Sequence, residues 1–139
     1  MKEYVVVTGS CGLIGVESCL FFHKQGYEII GIDNDMRSYF FGEGASTSSN
    51  RKFLEENIEG YQHHNTDIRD FNSLKEIFEQ YGSSIKCVIH TAAQPSHDWA
   101  AKEPFTDFNI NATATLNLLE LTKDYCKDAT FIFTSTNKV

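Results

Sequence analysis

Gly9, Gly12 and Gly15 stand three residues apart in Thr8-Gly9-Ser10-Cys11-Gly12-Leu13-Ile14-Gly15, directly after the apolar run Tyr4-Val5-Val6-Val7. Each glycine has a mechanical reason to be there. The first lets the chain turn sharply out of a strand, the second removes a side chain that would hold a pyrophosphate off the backbone, and the third lets a helix lie close on the sheet. A helix that starts at such a turn points its free N–H groups and positive dipole end at phosphates. Alone, the glycines specify only a tight turn. Here a second strand, Glu28-Ile29-Ile30-Gly31-Ile32, ends in Asp33, where a carboxylate accepts hydrogen bonds from an adenosine ribose diol. The combination reads as a dinucleotide site. Its candidate residues are Gly9, Ser10, Cys11, Gly12, Leu13, Ile14 and Gly15 at the phosphates, with Asp33 and Asn34 at the ribose. A carboxylate at that position repels a 2′-phosphate, which favours NAD over NADP. Arg37 leaves that choice open, being either a partner for such a phosphate or a solvated loop charge.

Three further groups lie where a parallel sheet presents its ligands. Asp67 and Ile68 follow the polar strand end Tyr61-Gln62-His63-His64-Asn65. Thr91-Ala92-Ala93-Gln94 follow the strand Lys86-Cys87-Val88-Ile89-His90, and the paired alanines permit close backbone approach beside polar side chains. Thr136 follows the strand Ala129–Thr134, where its hydroxyl would ordinarily satisfy nearby backbone. His90 is expected to be a hydrogen-bonded structural residue at its strand end rather than a catalyst. His63 and His64 have no third ligand at a recognisable spacing, so no metal centre is expected. Cys11, Cys19, Cys87 and Cys126 show no C-x-x-C pairing and read as small buried thiols. Cys11 either fills the phosphate turn or, beside a helix N-terminus, has a lowered pKa.

The elements that must position these groups alternate between strand and helix. A helix from Leu13 to Gly26 carries Leu13, Val16 and Leu20 on one face. Residues Asn34 to Asn50, rich in Gly and Ser at the centre, read as a flexible polar crossover loop. A short helix covers Arg51 to Ile58. Asp70 caps another that turns Phe71, Leu74, Ile77, Phe78 and Tyr81 inward and stops at Gly82. A long helix from near Thr106 to Tyr125 bears Phe108, Ala112, Leu116 and Leu119 on one stripe. This order specifies an α/β, Rossmann-type doubly wound parallel sheet of five strands in the order 3-2-1-4-5, with helices on both faces.

At 139 residues and 41% hydrophobic, the chain makes one domain, 1–139, burying about two-thirds of its unfolded surface. The net charge of −7, with only 12 lysines and arginines, argues against a nucleic-acid partner. Neither a charged leader nor a run of roughly 20 apolar residues is present, so no membrane partner and a cytosolic location are expected.

Taken together, these residues resemble the extended short-chain dehydrogenase/reductases, specifically the sugar-nucleotide epimerases and dehydratases. The resemblance covers the whole chain and rests on the T-G-x-x-G-x-x-G turn, Asp33, the pair Asp67-Ile68, the segment His90 to Gln94, and Asn109-Ile110-Asn111. Within that family, His90 to Glu120 and the ending Ser135-Thr136-Asn137-Lys138-Val139 are similar to the CDP-paratose 2-epimerases, or CDP-tyvelose epimerases. Where the related 4,6-dehydratases have Asp-Glu after the catalytic Ser/Thr, this chain has Asn137 and Lys138, which cannot perform that acid and base chemistry. The resemblance therefore implies epimerisation of a CDP-sugar by transient oxidation with bound NAD, with Thr136 as the catalytic hydroxyl. It also implies a Tyr-x-x-x-Lys pair, and none of the six tyrosines has a lysine four residues on. The chain is accordingly expected to be the NAD-binding N-terminal portion of a longer enzyme, inactive alone, or the same portion of an enzyme acting on another nucleotide sugar, or else a stand-alone NAD-binding module. The family's usual dimer face lies on the helix near Thr106 to Tyr125.

Overall fold

Three β-branched runs set the centre of the molecule. In the computed structural model, which describes residues 1–135, β1 (Tyr4–Thr8), β2 (Glu28–Ile32) and β4 (Ile85–His90) lie side by side and parallel. The short β3 (Gln62–His64) pairs outside β2, and β5 (Thr130–Phe133) outside β4. The sheet order is β3-β2-β1-β4-β5, all parallel, as the alternation of strands and helices requires.

Side-chain alternation sends the strands' apolar residues to two cores. Val5, Val7, Ile29, Cys87 and Ile89 face one layer, where they pack with Cys19 of α1 (Leu13–Lys24) and Leu54 of α3 (Ser48–Asn57). Val6, Ile30, Ile32, Ile85 and Val88 face the other, packing with α4 (Phe71–Tyr81) and with α7 (Ala114–Tyr125) through Leu74, Phe78, Leu118 and Leu121. Buried on both faces, these strands have no polar position except at their ends and at Lys86, the exposed second residue of β4.

The helices depart from the sequence reading in five places. The crossover after Asp33 is not a flexible loop but α2 (Met36–Phe41), a 3-10 turn (Glu43–Ala45) and the start of α3. Asp35 takes the left-handed conformation (φ 55°), and its carboxylate accepts from the Ser46 hydroxyl and from both the N–H and the hydroxyl of Thr47, closing the segment on itself. In α1 Gly15 and Cys19 are buried and Val16 and Leu20 pack against the same core as expected, while Leu13, in the first turn, is 80% exposed at the cavity. In α4, capped by Asp70 as expected, Phe71 lies outward in the first turn and Leu74, Ile77 and Phe78 are buried. The long helix is three consecutive pieces: α6 (Pro104–Phe108), a π-helical stretch (Asn109–Thr113) and α7. Its buried side is Ile110, Ala114, Leu118 and Leu121, so the stripe of Phe108, Leu116 and Leu119 faces solvent. A further helix, α5 (His97–Lys102), is capped by Ser96 and replaces the end of the loop after β4. Among the described residues no helix is long and apolar enough to cross a membrane.

Candidate functional site: a dinucleotide cleft

The carboxyl ends of β1, β2 and β4 open onto a cavity of about 280 Å³. It sits beside β1, where the strand order reverses and the crossovers leave to opposite faces, which is where doubly wound sheets hold their ligands.

Backbone geometry shapes its floor. Gly9 has φ +66°, and a Cβ there would lie 2.8 Å from the Ala92 nitrogen. A Cβ on Gly15 would come within 1.9 Å of the Gly9 carbonyl oxygen, so only glycine lets α1 start this close to β1. Gly12 is different: a Cβ there would meet only Gly9 O, at 3.3 Å, and its absence leaves the space in front of the turn open. Gly12 is also the N-cap of α1, with no side chain capping it, so the first N–H groups of the helix lack intrahelical acceptors beside the cavity that Gly12, Leu13 and Ile14 line.

Asp33 lines the same opening beside the turn. One carboxylate oxygen accepts the Cys11 N–H at 3.0 Å and the other accepts the Asp35 N–H at 2.8 Å. The acid is thereby held in one orientation and tied to the phosphate turn. A helix start that attracts anions and a fixed carboxylate that accepts from a diol are the two halves of a dinucleotide grip.

The remaining candidates divide between the cavity and its supports. Asn34, Arg37, Asp67, Ile68, Thr91, Ala92 and Ala93 line it. Arg37 places its guanidinium 5.4 Å from the centre of the Phe41 ring. Asp67 is gripped by Arg69 through both carboxylate oxygens; burial pushes its carboxyl up, but the Arg69 bonds outweigh that and hold it below the usual range. Ser10, Cys11, Gly15 and Gln94 are not among the lining residues. Ser10 is buried under the turn and accepts the Tyr61 hydroxyl at 3.0 Å. Cys11 is buried too, and burial together with the Asp33 charge pushes its thiol up to about 11, so the lowered pKa that a helix start can confer is not found here. Gln94 is tied into a network with Ser96, Asp107 and Asn111, bracing the loop after β4. Thr136 lies outside the described residues.

His90 is 1% exposed, with Nδ1 at 2.6 Å from the Thr8 hydroxyl and Nε2 at 2.9 Å from the Thr115 hydroxyl; burial pulls it down to about 4. It is a neutral structural link between β1, β4 and α7. Among the described residues no cluster of histidine, cysteine and carboxylate could hold a metal ion. His63 bonds instead to the Tyr61 hydroxyl and to the Asp33 carbonyl.

Several contributors escape a linear reading. Met36 and Phe40 of α2 and Ile110 of the π-helical stretch provide apolar walls, and Asn50 donates from α3 to the Cys11 carbonyl at 2.8 Å. Thr8 could have been found from strand alternation, as the polar end of an otherwise apolar strand. Asp35 and Asn50 act on partners 11 and 39 residues away, and no local pattern marks them.

With this geometry in view, the chain matches the NAD dependent epimerase/dehydratase family over residues 5–139, and it belongs to that family. It is 38% identical over 122 residues to the UDP-glucuronate 4-epimerase of Thermodesulfobacterium geofontis, covering 88% of this chain and 36% of that one. It is 32% identical over 135 residues to the CDP-paratose 2-epimerase of Salmonella typhi, covering 97% and 37% respectively. The solved structure of the Thermus thermophilus UDP-glucose 4-epimerase in complex with NAD superposes with a TM-score of 0.70 at 28% identity, covering 96% of this chain and 38% of that one. The chain thus spans a little over a third of the length of these curated relatives.

Proposed function

We propose that residues 1–139 form a Rossmann-type NAD-binding domain, the cofactor-binding part of a nucleotide-sugar epimerase. The observation that carries this reading is the convergence of the uncapped start of α1 and the fixed Asp33 carboxylate on one cavity. Leu13 and Ile14 hold the pyrophosphate through backbone N–H groups; Gly9 and Gly12, whose own N–H groups bond to the Ile32 and Gly9 carbonyls, shape the turn together with Ser10, Cys11 and Gly15. Asp33 and Asn34 meet the adenosine ribose, and Asp67 and Ile68 border the adenine. Thr91, Ala92 and Ala93 line the way toward the nicotinamide, braced by Gln94. Arg37, held over Phe41, is a rim cation on the adenosine side, and Asp33 keeps the preference for NAD over NADP. Met36, Phe40 and Ile110 exclude water from this enclosure. When bound, NAD supplies reversible acceptance and return of a hydride.

Thr136 is the candidate for the hydroxyl that bonds the reacting sugar oxygen. The substrate we assign is a CDP-sugar, on the Ser135–Val139 ending and the 32% identity to a CDP-paratose 2-epimerase. The higher identity to a UDP-glucuronate 4-epimerase favours a UDP-sugar as the second reading. A third reading is an NAD-binding module without chemistry of its own. Reading the coding sequence past Val139 for Tyr-x-x-x-Lys separates the module from the enzyme, and turnover of CDP-paratose against UDP-glucuronate by the encoded protein separates the substrates. A cytoplasmic setting belongs to the same reading, supported by four buried cysteines that are all unpaired.

The cofactor assignment is tested by calorimetric titration of the purified chain. NAD binds, NADP binds more weakly, and Asp33→Ala loses affinity and selectivity together. Equal affinity for the two cofactors, or an Asp33→Ala variant that binds as the parent does, overturns it.

A further inference from the structure

The cavity's walls are attached to the molecule in different ways. The ends of β1, β2 and β4 belong to the central sheet, and α1 is locked against β1 by Gly15. By contrast, α2 is a six-residue helix standing outside the sheet, and Phe40 is its one buried residue. It nevertheless supplies Met36, Arg37, Phe40 and Phe41 to the lining.

Phe40 belongs to the buried core that includes Ile32, Ile68 and Ile110, Met36 packs against that core, and two sets of polar contacts hold the helix at its ends. At its start the Asp35 carboxylate clasps Ser46 and Thr47, fixing the backbone from which the helix begins. At its far end it is fastened to Trp99 of α5 and to Glu103, the residue that follows α5, neither of which lines the cavity. The Trp99 indole N–H donates to the Phe40 carbonyl at 2.7 Å, and the Tyr39 hydroxyl donates to the Glu103 carboxylate at 3.0 Å. The Trp99 ring lies 5.4 Å from that of Phe40 and 5.8 Å from that of Tyr39, with the Lys102 ammonium 5.5 Å from its centre. Such contacts have hinge-and-latch form: a fixed start, a short rigid body, and side-chain bonds at the far end that can open without breaking a hydrogen bond of the sheet, at the cost of uncovering Phe40.

We propose that α2 is a gate on the dinucleotide cavity and that Trp99 and Glu103 are its latch, a proposal that rests on reading this cavity as the NAD site. Opening separates Phe40 from Trp99 and Tyr39 from Glu103, swings the Met36, Phe40 and Phe41 wall outward, and leaves the Asp33 carboxylate and the glycine turn in place. The latch residues are positioning residues. They touch no ligand, and they set how long the wall stays closed over one.

The test is the kinetics of NADH binding to the purified 139-residue chain. Release is started by excess NAD and followed by nicotinamide emission, and association is followed by mixing. Trp99→Phe keeps a ring and removes the donor; Tyr39→Phe removes the hydroxyl; Glu103→Gln keeps an acceptor. Trp99→Phe and Tyr39→Phe raise dissociation and association rates alike, by about threefold to tenfold, the range one net hydrogen bond represents, and leave Kd within about twofold of the parent. Glu103→Gln stays near the parent. A purely structural contact would instead lower thermal stability or affinity without a matched rise in both rates. Unchanged rates in both Phe variants, or faster release with unchanged association, overturn the gate while leaving the cofactor assignment standing. Failure of the parent chain to bind NADH overturns both.

Discussion

The two flanks of the sheet are finished to different degrees. On the β2 side, every residue of the strand after the first is buried, β3 covers the outer edge, and α1 and α3 close the face. On the β5 side, three of the four strand residues are exposed, Phe133 is 56% exposed, and among the described residues nothing pairs outside the strand. The candidate cofactor contacts lie mainly on the first flank and along β1 and β4. The difference teaches that the dinucleotide grip supports itself, whereas the β5 flank leaves apolar area in water, at about 25 cal/mol for each Å².

The comparison breaks first at Gly15. Replacing it with alanine drives a Cβ into the Gly9 carbonyl, a backbone atom with nowhere to move. We expect a loss of about 3 to 4 kcal/mol and a melting midpoint lower by about 10 °C or more. A shift under about 3 °C on circular dichroism would show that the turn is less tightly packed than the β5 flank.

Next in size is the dependence on pH through His90, whose ring falls from 6.5 to about 4 in the folded protein because it is buried. The folded state keeps it neutral while the unfolded state takes up a proton. Its contribution is complete above pH 6.5 and is lost as the pH falls toward 4, to a total of about 3 kcal/mol. Urea unfolding at pH 7 and pH 4.5, compared with His90→Gln, isolates this share; equal slopes in the two proteins would reject it.

Asp33→Ala is expected to cost about 2 kcal/mol of NAD binding, roughly a thirtyfold rise in Kd. Calorimetry measures it, and a change below about twofold would move the adenosine end away from β2. The smallest effect belongs to the exposed flank. Phe133→Lys should alter unfolding stability by less than about 0.5 kcal/mol while reducing self-association along the open strand edge. Light scattering that stays unchanged would mean that this edge is not the sticky surface.

The strands, their order and the glycine turn were legible because each rests on a local pattern: β-branched runs, strand and helix alternation, and glycine where backbone must pass close to backbone. The exposed stripe on α7 shows where periodicity stops being informative. Leu116 and Leu119 are as apolar as Leu118 and Leu121, and only packing against the sheet selects which pair is buried. The crossover after β2 was unreadable for another reason. Gly42 to Ser49 has the composition of a loose loop, yet the Asp35 carboxylate gathers it through residues 11 and 12 positions on. Within the cleft, the turn and Asp33 follow from spacing, while α2, Asn50 and Tyr61 reach it through tertiary contacts.

Gly31 is the fourth of the five residues of β2, where a Cβ would fall 1.9 Å from the Tyr61 hydroxyl. The missing side chain lets that phenol reach across to Ser10 beneath the glycine turn. Over evolutionary time these two positions are expected to behave as one inherited character written in two places. A side chain at 31 would be admitted only in lineages where 61 has already become small, and an alignment of homologues should show the two changing together.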